Sequence, residues 1–164
     1  TYTKTQLFNY MNKENIFSRS GIPSKKAKAN YFTGKVVAKD ISATIKPKNE
    51  KIYHVTFKRG ARTKLHFHSG GQTLIGTSGK GSISLYRRFG NKITNFKIKK
   101  TKTINLRVGD CVYIPAKTLH THGAITNKSD FSHIAINSFP KNNVEPTTTW
   151  YESDFQTNVT QRLK

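Results

Sequence analysis

The residues best suited to chemistry are histidines, which occur as two pairs with one residue between the members. His66 and His68 lie in LHFH, and His120 and His122 lie in LHTH. Imidazole is the commonest metal ligand and suits zinc, iron, nickel, copper and manganese. Two such pairs among only six histidines favour a metal site over isolated, hydrogen-bonded core histidines. Gln72 follows four positions after His68, where a site of this kind usually has a carboxylate.

Strand geometry explains how the pairs could act together. Side chains two positions apart in a strand point to the same side, about 7 Å from each other. The two pairs are far apart in the chain, so they meet only if a closed β fold brings their strands together. Between Tyr31 and Asn137, short segments rich in Val, Ile, Tyr, Phe and Thr alternate with Gly, Asn and Asp turns. This pattern predicts an all-β sandwich or small barrel.

The flanking segments differ from this central region. Residues 1–30 are polar and are predicted to form an N-terminal arm, with a short helix in TQLFNYMNKENIF. The predicted barrel spans residues 31–137, and residues 138–164 form a tail. Ser153 is a plausible N-cap, which predicts a short C-terminal helix in SDFQTNVTQRL. Cys111 is the single cysteine, which excludes an internal disulfide, and its apolar neighbours predict that it is buried.

The charge of the chain is strongly positive, with 29 Lys and Arg against 8 acidic residues and a net charge of +21. Attraction to nucleic acid or another polyanion is one interpretation. A solvated basic surface is favoured, because the basic residues are dispersed and match no recognised binding module. No apolar run approaches the roughly 18 residues of a membrane helix, so no membrane partner is expected. The compartment stays open: the cytoplasm is favoured, and a periplasmic or secreted location would follow if a leader preceded Thr1.

Both histidine pairs fall within longer patterns that resemble the two motifs of the cupin superfamily. The first motif, G-x5-H-x-H-x3-[E/Q]-x6-G, is matched at Gly60, His66, His68, Gln72 and Gly79. The second, G-x5-P-x-G-x2-H-x3-N, is matched at Gly109, Pro115 and His120, with Lys117 and Ala124 at its other two positions. The resemblance implies a double-stranded β-helix, or jelly-roll barrel, over about residues 31–137.

The segments NYFTGKVV and VGDCVYIPAKTLHTHGA indicate which group of cupins the chain resembles most. They are similar to small single-domain cupins that include the manganese- or iron-dependent (R)-hydroxynitrile lyases and the cupins associated with carboxymuconolactone decarboxylases. This resemblance implies a divalent metal ion held by His66, His68, Gln72 and His120. It implies that His122 lies beside the metal in a substrate pocket, which is also lined by Tyr53, Val55, Thr63, His133 and Asn137. If the protein is an enzyme, the catalytic residue that moves the proton is expected to be His122 or His133. Manganese or iron is favoured, although zinc and nickel also accept this set of ligands.

Gln72 has a chemical consequence at such a site. Three neutral imidazoles and a neutral amide leave the full charge on the ion, whereas a glutamate would reduce it. The glutamine site is therefore expected to bind its metal less tightly and to make it a stronger Lewis acid. Four protein ligands leave coordination positions open, which is typical of a catalytic site.

These inferences favour an enzyme, a metal-dependent lyase or oxygenase acting on a small organic substrate, and include hydroxynitrile-lyase-like C–C cleavage. A non-catalytic cupin that binds a small ligand is one alternative, and a protein that binds polyanions through its Lys-rich surface is another. The long terminal arms predict a homo-oligomer, a dimer or a tetramer. Trp150 is predicted to pack the tail onto the barrel or onto a neighbouring protomer. For Arg62, a surface salt bridge is favoured over contact with an anionic substrate or a partner subunit.

Overall fold

The computed structural model describes residues 11–18, 25–26 and 29–164. Within these residues, antiparallel strands form two sheets that face each other, which confirms the predicted all-β barrel. Of the segment predicted to hold an N-terminal helix, residues 11–17 contain no helix, and the remainder lies outside the described residues. The described residues contain one short α-helix, α1, at Ser42–Ile45, and a 3-10 helix at Ala29–Tyr31. No described helix has the length and apolar character needed to cross a membrane.

The first sheet has six strands in the described part of the chain, in the order β1, β3, β4, β12, β7, β10. Their bounds in that order are Lys25–Lys26, Val36–Asp40, Glu50–Phe57, Phe131–Ser138, Gln72–Ser78 and Cys111–Ile114. Strand β12 lies at the centre and pairs with both β4 and β7. Strand β1, from the predicted arm, extends the sheet at one edge.

The second sheet has eight described strands in the order β2, β5, β11, β6, β13, β14, β9, β8. Their bounds in that order are Phe32–Thr33, Arg62–Thr63, Leu119–Ala124, Leu65–His68, Thr148–Ser153, Asn158–Leu163, Phe96–Leu106 and Gly81–Phe89. Strand β8 also pairs with β11, so part of this sheet closes on itself.

The main core lies between the two sheets. Phe57, Leu74, Ile83, Leu106 and Phe131 are at most 1% exposed and belong to one apolar cluster. Burying each such side chain contributes about 1.5–3 kcal/mol, so this cluster is a principal source of stability. Burial alternates along β7, which turns one face of the strand toward the core.

A second core lies under the tail. Leu65, Phe96, Ile98, Tyr151 and Val159 form a separate buried cluster, enclosed by the strands that close the second sheet. The tail contributes two strands to this enclosure, because β13 pairs with β6 and β14 pairs with β9. The boundaries predicted at 30/31 and 137/138 remain predictions, although strands from both flanking segments pair with strands of the barrel.

The predicted C-terminal helix is wrong, because its residues form the β13–β14 hairpin. Asp154, not Ser153, organises the turn: its Oδ1 accepts hydrogen bonds from the backbone N–H groups of Gln156, Thr157 and Asn158. Ser and Asp side chains form the same short-range hydrogen bonds to backbone N–H groups at a helix N-terminus and in a turn of this kind. The sequence SD at 153–154 therefore could not distinguish a helix start from a turn. Cys111 also differs from expectation, since it is exposed.

Candidate metal centre

The fold brings the two histidine pairs together. Strands β6 and β11 are neighbours, and His120 lies directly opposite His66 in their register. The ring centroids of His66 and His120 are 4.2 Å apart, and those of His66 and His68 are 5.0 Å apart. His68 and His120 complete the group at 5.5 Å. The members of each pair are two positions apart, so both side chains of a pair point to the same side of their strand. Because β6 and β11 are neighbours, all four imidazoles lie on one face of the second sheet.

Hydrogen bonds on the outer side of the rings fix their orientation. The Nδ1–H groups of His66 and His120 donate to the carbonyl oxygens of Lys64, at 2.9 Å, and Thr118, at 2.7 Å. His68 Nδ1 is 2.8 Å from the hydroxyl of Thr148 on β13. Occupation of Nδ1 leaves Nε2 as the nitrogen that faces inward. Metal-binding histidines are oriented in this way by partners on the far side of the ring.

Gln72 is held with its oxygen toward the histidines. Its Nε2 donates a 2.8 Å hydrogen bond to Asn137 Oδ1, which identifies Oε1 as the free end of the amide. Gln72 begins β7 immediately after a turn that contains Gly70. A Cβ atom on Gly70 would lie 2.0 Å from the carbonyl oxygen of Ser138, so only glycine fits this close approach.

Several buried acceptor atoms at this place have no partner. In the described part of the chain, His68 Nε2, His120 Nε2 and Gln72 Oε1 are buried without a hydrogen bond. Buried polar atoms are nearly always satisfied, so a cluster of unsatisfied ones indicates that a bound group, such as a metal ion or an ordered water molecule, completes them. Two imidazole nitrogens and an amide oxygen are donors that a divalent metal accepts, so these residues fit the predicted ion.

The histidine cluster allows a second choice of ligands. One ligand-capable nitrogen from each of His66, His120 and His122 lies within 4.8 Å of the others. Both sets of ligands contain His66 and His120. The predicted set adds His68 and Gln72, whereas this second set adds His122. His122 Nδ1 already lies 3.0 Å from His133 Nε2. This hydrogen bond leaves His122 a single nitrogen, Nε2, for any other partner.

The pair His122–His133 lies beside the cluster and is held firmly. The backbone N–H of His122 donates to Thr63 Oγ1 at 3.0 Å. Phe57 packs against both rings, with centroid distances of 5.6 and 5.3 Å. His133 is fully buried, and its Nδ1 has no hydrogen-bond partner among the described residues. Either nitrogen of the hydrogen bond can carry the shared proton, so a proton can pass between the rings.

Burial determines the protonation of the site. It lowers the pKa of His68 to about 3, with help from His120, and lowers the pKa of His133 to about 3 and of His120 to about 4. It also holds the pKa of His66 and of His122 well below the ordinary value. All five rings are therefore neutral at pH 7, which is the form that binds a metal or accepts a proton.

A cavity of about 100 Å³ opens next to these groups. All of the residues predicted for the substrate pocket line it: Tyr53, Val55, Thr63, His122, His133 and Asn137. The rings of Phe32 and Trp150 complete one wall. No charged side chain occurs among the described residues that line the cavity, despite the net charge of +21. The cavity is thus suited to a small molecule with little or no charge.

Two contacts from the tail were not anticipated as parts of the site. Trp150 stacks on His66 with centroids 4.2 Å apart, and Tyr31 also stacks on Trp150, with centroids 4.7 Å apart. Thr148 orients His68. Trp150 thus packs the tail onto the barrel, the first of the two predicted alternatives. The sequence feature that could have indicated this role is the segment TTTWYE: its residues favour a strand, in which Thr148 and Trp150 share one face.

The combination of a two-sheet jelly roll and a buried histidine cluster defines a class of β-barrel whose histidines could hold a metal, and comparison with known proteins agrees with this fold. The chain is 33% identical over 113 residues to (R)-mandelonitrile lyase of Granulicella tundricola, which covers 69% of this chain and 76% of that protein. The crystal structure of a cupin-like protein of Thermotoga maritima is similar with 32% identity and a TM-score of 0.61, covering 85% of this chain and 90% of that one.

Oxalate decarboxylase of Bacillus subtilis shares the fold at 21% identity and a TM-score of 0.53, over 76% of this chain and 29% of that one. No protein-family model matches the chain. The chain belongs to the cupin superfamily, as its two motifs predicted.

Proposed function

We propose that this protein is a metal-dependent enzyme that acts on a small, uncharged organic molecule bearing a hydroxyl group, as a hydroxynitrile lyase does. One observation carries the proposal: three buried acceptor atoms without partners converge beside a hydrogen-bonded histidine pair. The relative named (R)-mandelonitrile lyase supports the choice of reaction. The proposed ligands are His66, His68, Gln72 and His120, with manganese or iron favoured.

A divalent ion bound there supplies Lewis-acid chemistry, which makes a nearby hydroxyl group more acidic. The protein's own contribution begins with His122, whose Nε2 is the nitrogen left free by the bond to His133. His122 accepts the hydroxyl proton of the substrate, and His133 stabilises the ring that has gained the proton. Both rings are neutral at pH 7, so His122 is in the form that can accept a proton.

For a cyanohydrin, the reaction balances without any further reactant. The hydroxyl proton moves to His122, the carbon–oxygen bond becomes a carbonyl, and the bond to the nitrile carbon breaks. The leaving cyanide then takes the proton back from His122, which yields an aldehyde and hydrogen cyanide. The described walls of the cavity, which include Val55 and Phe57, carry no charged side chain and therefore suit an uncharged substrate.

The ligand and base roles are separable by mutation. His120→Ala is expected to lose metal and activity together, whereas His122→Ala should keep its metal and lose about 10²-fold or more in turnover. His54→Gln is the matched control, because His54 lies on β4 outside the cavity and bonds to Thr77. The assay measures metal content and the release of benzaldehyde from mandelonitrile on the same samples.

The outcomes distinguish the alternatives. If His120→Ala and His122→Ala both remain fully loaded with metal and active, the proposed site is wrong. If His122→Ala loses the metal while His68→Ala keeps it, the ligand set is His66, His120 and His122. A wild-type protein that holds metal but converts no hydroxynitrile would instead be a different cupin enzyme or a binding protein.

A further inference from the structure

Arg62 is a largely buried cation whose interactions are all with neutral groups. Its guanidinium donates hydrogen bonds to Ser82 Oγ at 2.9 Å, to the carbonyl oxygens of Ser82 and Ala124 at 3.2 Å, and to Thr121 Oγ1 at 3.5 Å. It takes part in none of the ion pairs of the described residues, so the predicted surface salt bridge is wrong. Burying a charge without a counter-charge is costly, which indicates that an anion belongs nearby.

Arg62 faces a second cavity, of about 260 Å³, whose walls are rich in hydrogen-bond donors. Hydroxyl groups come from Thr33, Ser84, Thr121 and Tyr86. Lys100 supplies a second positive charge at the rim, with its Nζ 5.9 Å from the centre of the Tyr86 ring. No carboxylate is found among the described residues that line this cavity.

Asp154, an acidic group near Tyr86, does not serve as the counter-charge. Asp154 lies close enough to Tyr86 to help raise the pKa of that phenol, after the larger effect of burial. Its carboxylate, however, accepts bonds from the hydroxyl of Thr157 and from backbone N–H groups of its own turn. It therefore remains bound in the β13–β14 turn and leaves Arg62 and Lys100 unpaired.

The second cavity lies on the opposite face of the strands that carry the metal centre. Arg62 and Thr63 are consecutive in β5, and only Thr63 lines the histidine cavity. Thr121 sits between His120 and His122 in β11 and points the other way. The two cavities have no lining residue in common. A ligand in one is thus separated from the other by a single layer of backbone.

We propose that this second cavity binds the phosphate group of a small molecule. Two cations without carboxylate partners match the two negative charges of a phosphate monoester. The hydroxyls of Ser84 and Thr121 supply donors to its oxygens, whereas those of Tyr86 and Thr33 already donate to backbone carbonyl oxygens. A carboxylate would neutralise only one of the two cations. The volume exceeds that of inorganic phosphate alone, so a small phosphorylated metabolite fits better than the free ion.

Binding is tested by calorimetric titration at pH 7.5 with inorganic phosphate, glycerol phosphate and acetate, each at matched ionic strength. Glycerol phosphate is expected to bind most tightly and acetate most weakly. Lys100→Gln should weaken phosphate binding about two- to fivefold, and Arg62→Gln about tenfold or more. Lys99→Gln is the matched control, because Lys99 is also exposed on β9 but does not line the cavity.

A second readout covers the case in which Arg62→Gln fails to fold. Phosphate at tenfold excess over its dissociation constant should raise the melting temperature of the wild type by about 3–6 °C. This shift should shrink in Lys100→Gln, persist in Lys99→Gln, and persist after the metal is removed with a chelator. Equal binding by Lys100→Gln and Lys99→Gln, loss of binding on chelation, or no binding by the wild type would each overturn the proposal.

Discussion

Acidification to pH 5.5 is expected to destabilise the metal-free protein strongly, because its histidines are buried in neutral form. The ordinary histidine pKa is 6.5, whereas in the folded protein the pKa is about 3 for His68 and His133 and about 4 for His120. Below pH 6.5 the unfolded chain therefore binds protons that the folded chain does not. Stability is fully present above pH 6.5 and falls as the pH drops toward 4.

The magnitude follows from these pKa values. At pH 5.5 each of the three histidines is almost fully neutral in the folded state and mostly charged in the unfolded state. Each then costs about 1.4 kcal/mol, so these three cost about 4 kcal/mol relative to high pH. His66 and His122, whose pKa is also held well below the ordinary value, add to the loss in the same direction. A domain of this size typically has about 5–15 kcal/mol of stability, so the loss is a large part of it. Carboxylates do not interfere, since they titrate at lower pH.

The assay is urea unfolding in the presence of a chelator at pH 7.5, 6.5 and 5.5, with the free energy extrapolated to water. His133→Phe is the matched variant: its loss between pH 7.5 and 5.5 should be smaller by about 1.4 kcal/mol, because one titrating group is gone. Saturating metal should oppose the loss, since only neutral rings bind it. A wild-type free energy of unfolding that stays constant over this range would refute the reasoning.

Three further changes test the surroundings of the metal centre. Gln72→Glu should bind the metal more tightly and turn over more slowly, because a carboxylate reduces the charge on the ion; chelator competition and kcat measure both. Thr148→Val should lower metal affinity about tenfold without unfolding the protein, because it frees His68 Nδ1. Gly70→Ala should lower the free energy of unfolding, measured by urea titration, by about 1–3 kcal/mol, because the added Cβ would clash with the Ser138 carbonyl oxygen.

The parts of the site that lie within single strands were predictable from the sequence. The alternation in LHFH and LHTH placed His66 with His68, and His120 with His122, on common faces. The meeting of the two strands followed from the cupin pattern, not from any local feature. The catalytic roles of His122 and His133, the Gln72 ligand and the predicted dimer or tetramer remain predictions.

The parts that depend on long-range pairing were not predictable. Thr148 and Trp150 reach the site only because β13 pairs with β6, about eighty residues earlier in the chain. The short-range signal of the tail favoured a helix, and tertiary pairing overrode it. The exposure of Cys111 has a related reason: in CVYI only Ile114 is buried, since β10 is an edge strand. An apolar run in the sequence predicts a strand, but it does not predict which face of that strand is buried.

The charge distribution also became interpretable only with the fold. Most of the lysines are exposed, and on β9 Lys97, Lys99, Lys100 and Lys102 all face solvent. Net charge did not indicate that one arginine would be buried without a carboxylate partner while the histidine cavity would have no charged wall residue. Positive charge is therefore part of the second cavity, which Arg62 and Lys100 line, whereas no described residue in the wall of the histidine cavity has a charged side chain.

The central claim is that the imidazoles of two distant strands and one carboxamide hold a single divalent ion. Elemental analysis of protein purified without chelator tests it most directly, with wild type, His68→Ala and His120→Ala compared in parallel. We predict one divalent ion per chain in the wild type and little or none in either variant. A wild-type protein without stoichiometric metal, even after incubation with manganese or iron, would contradict the account.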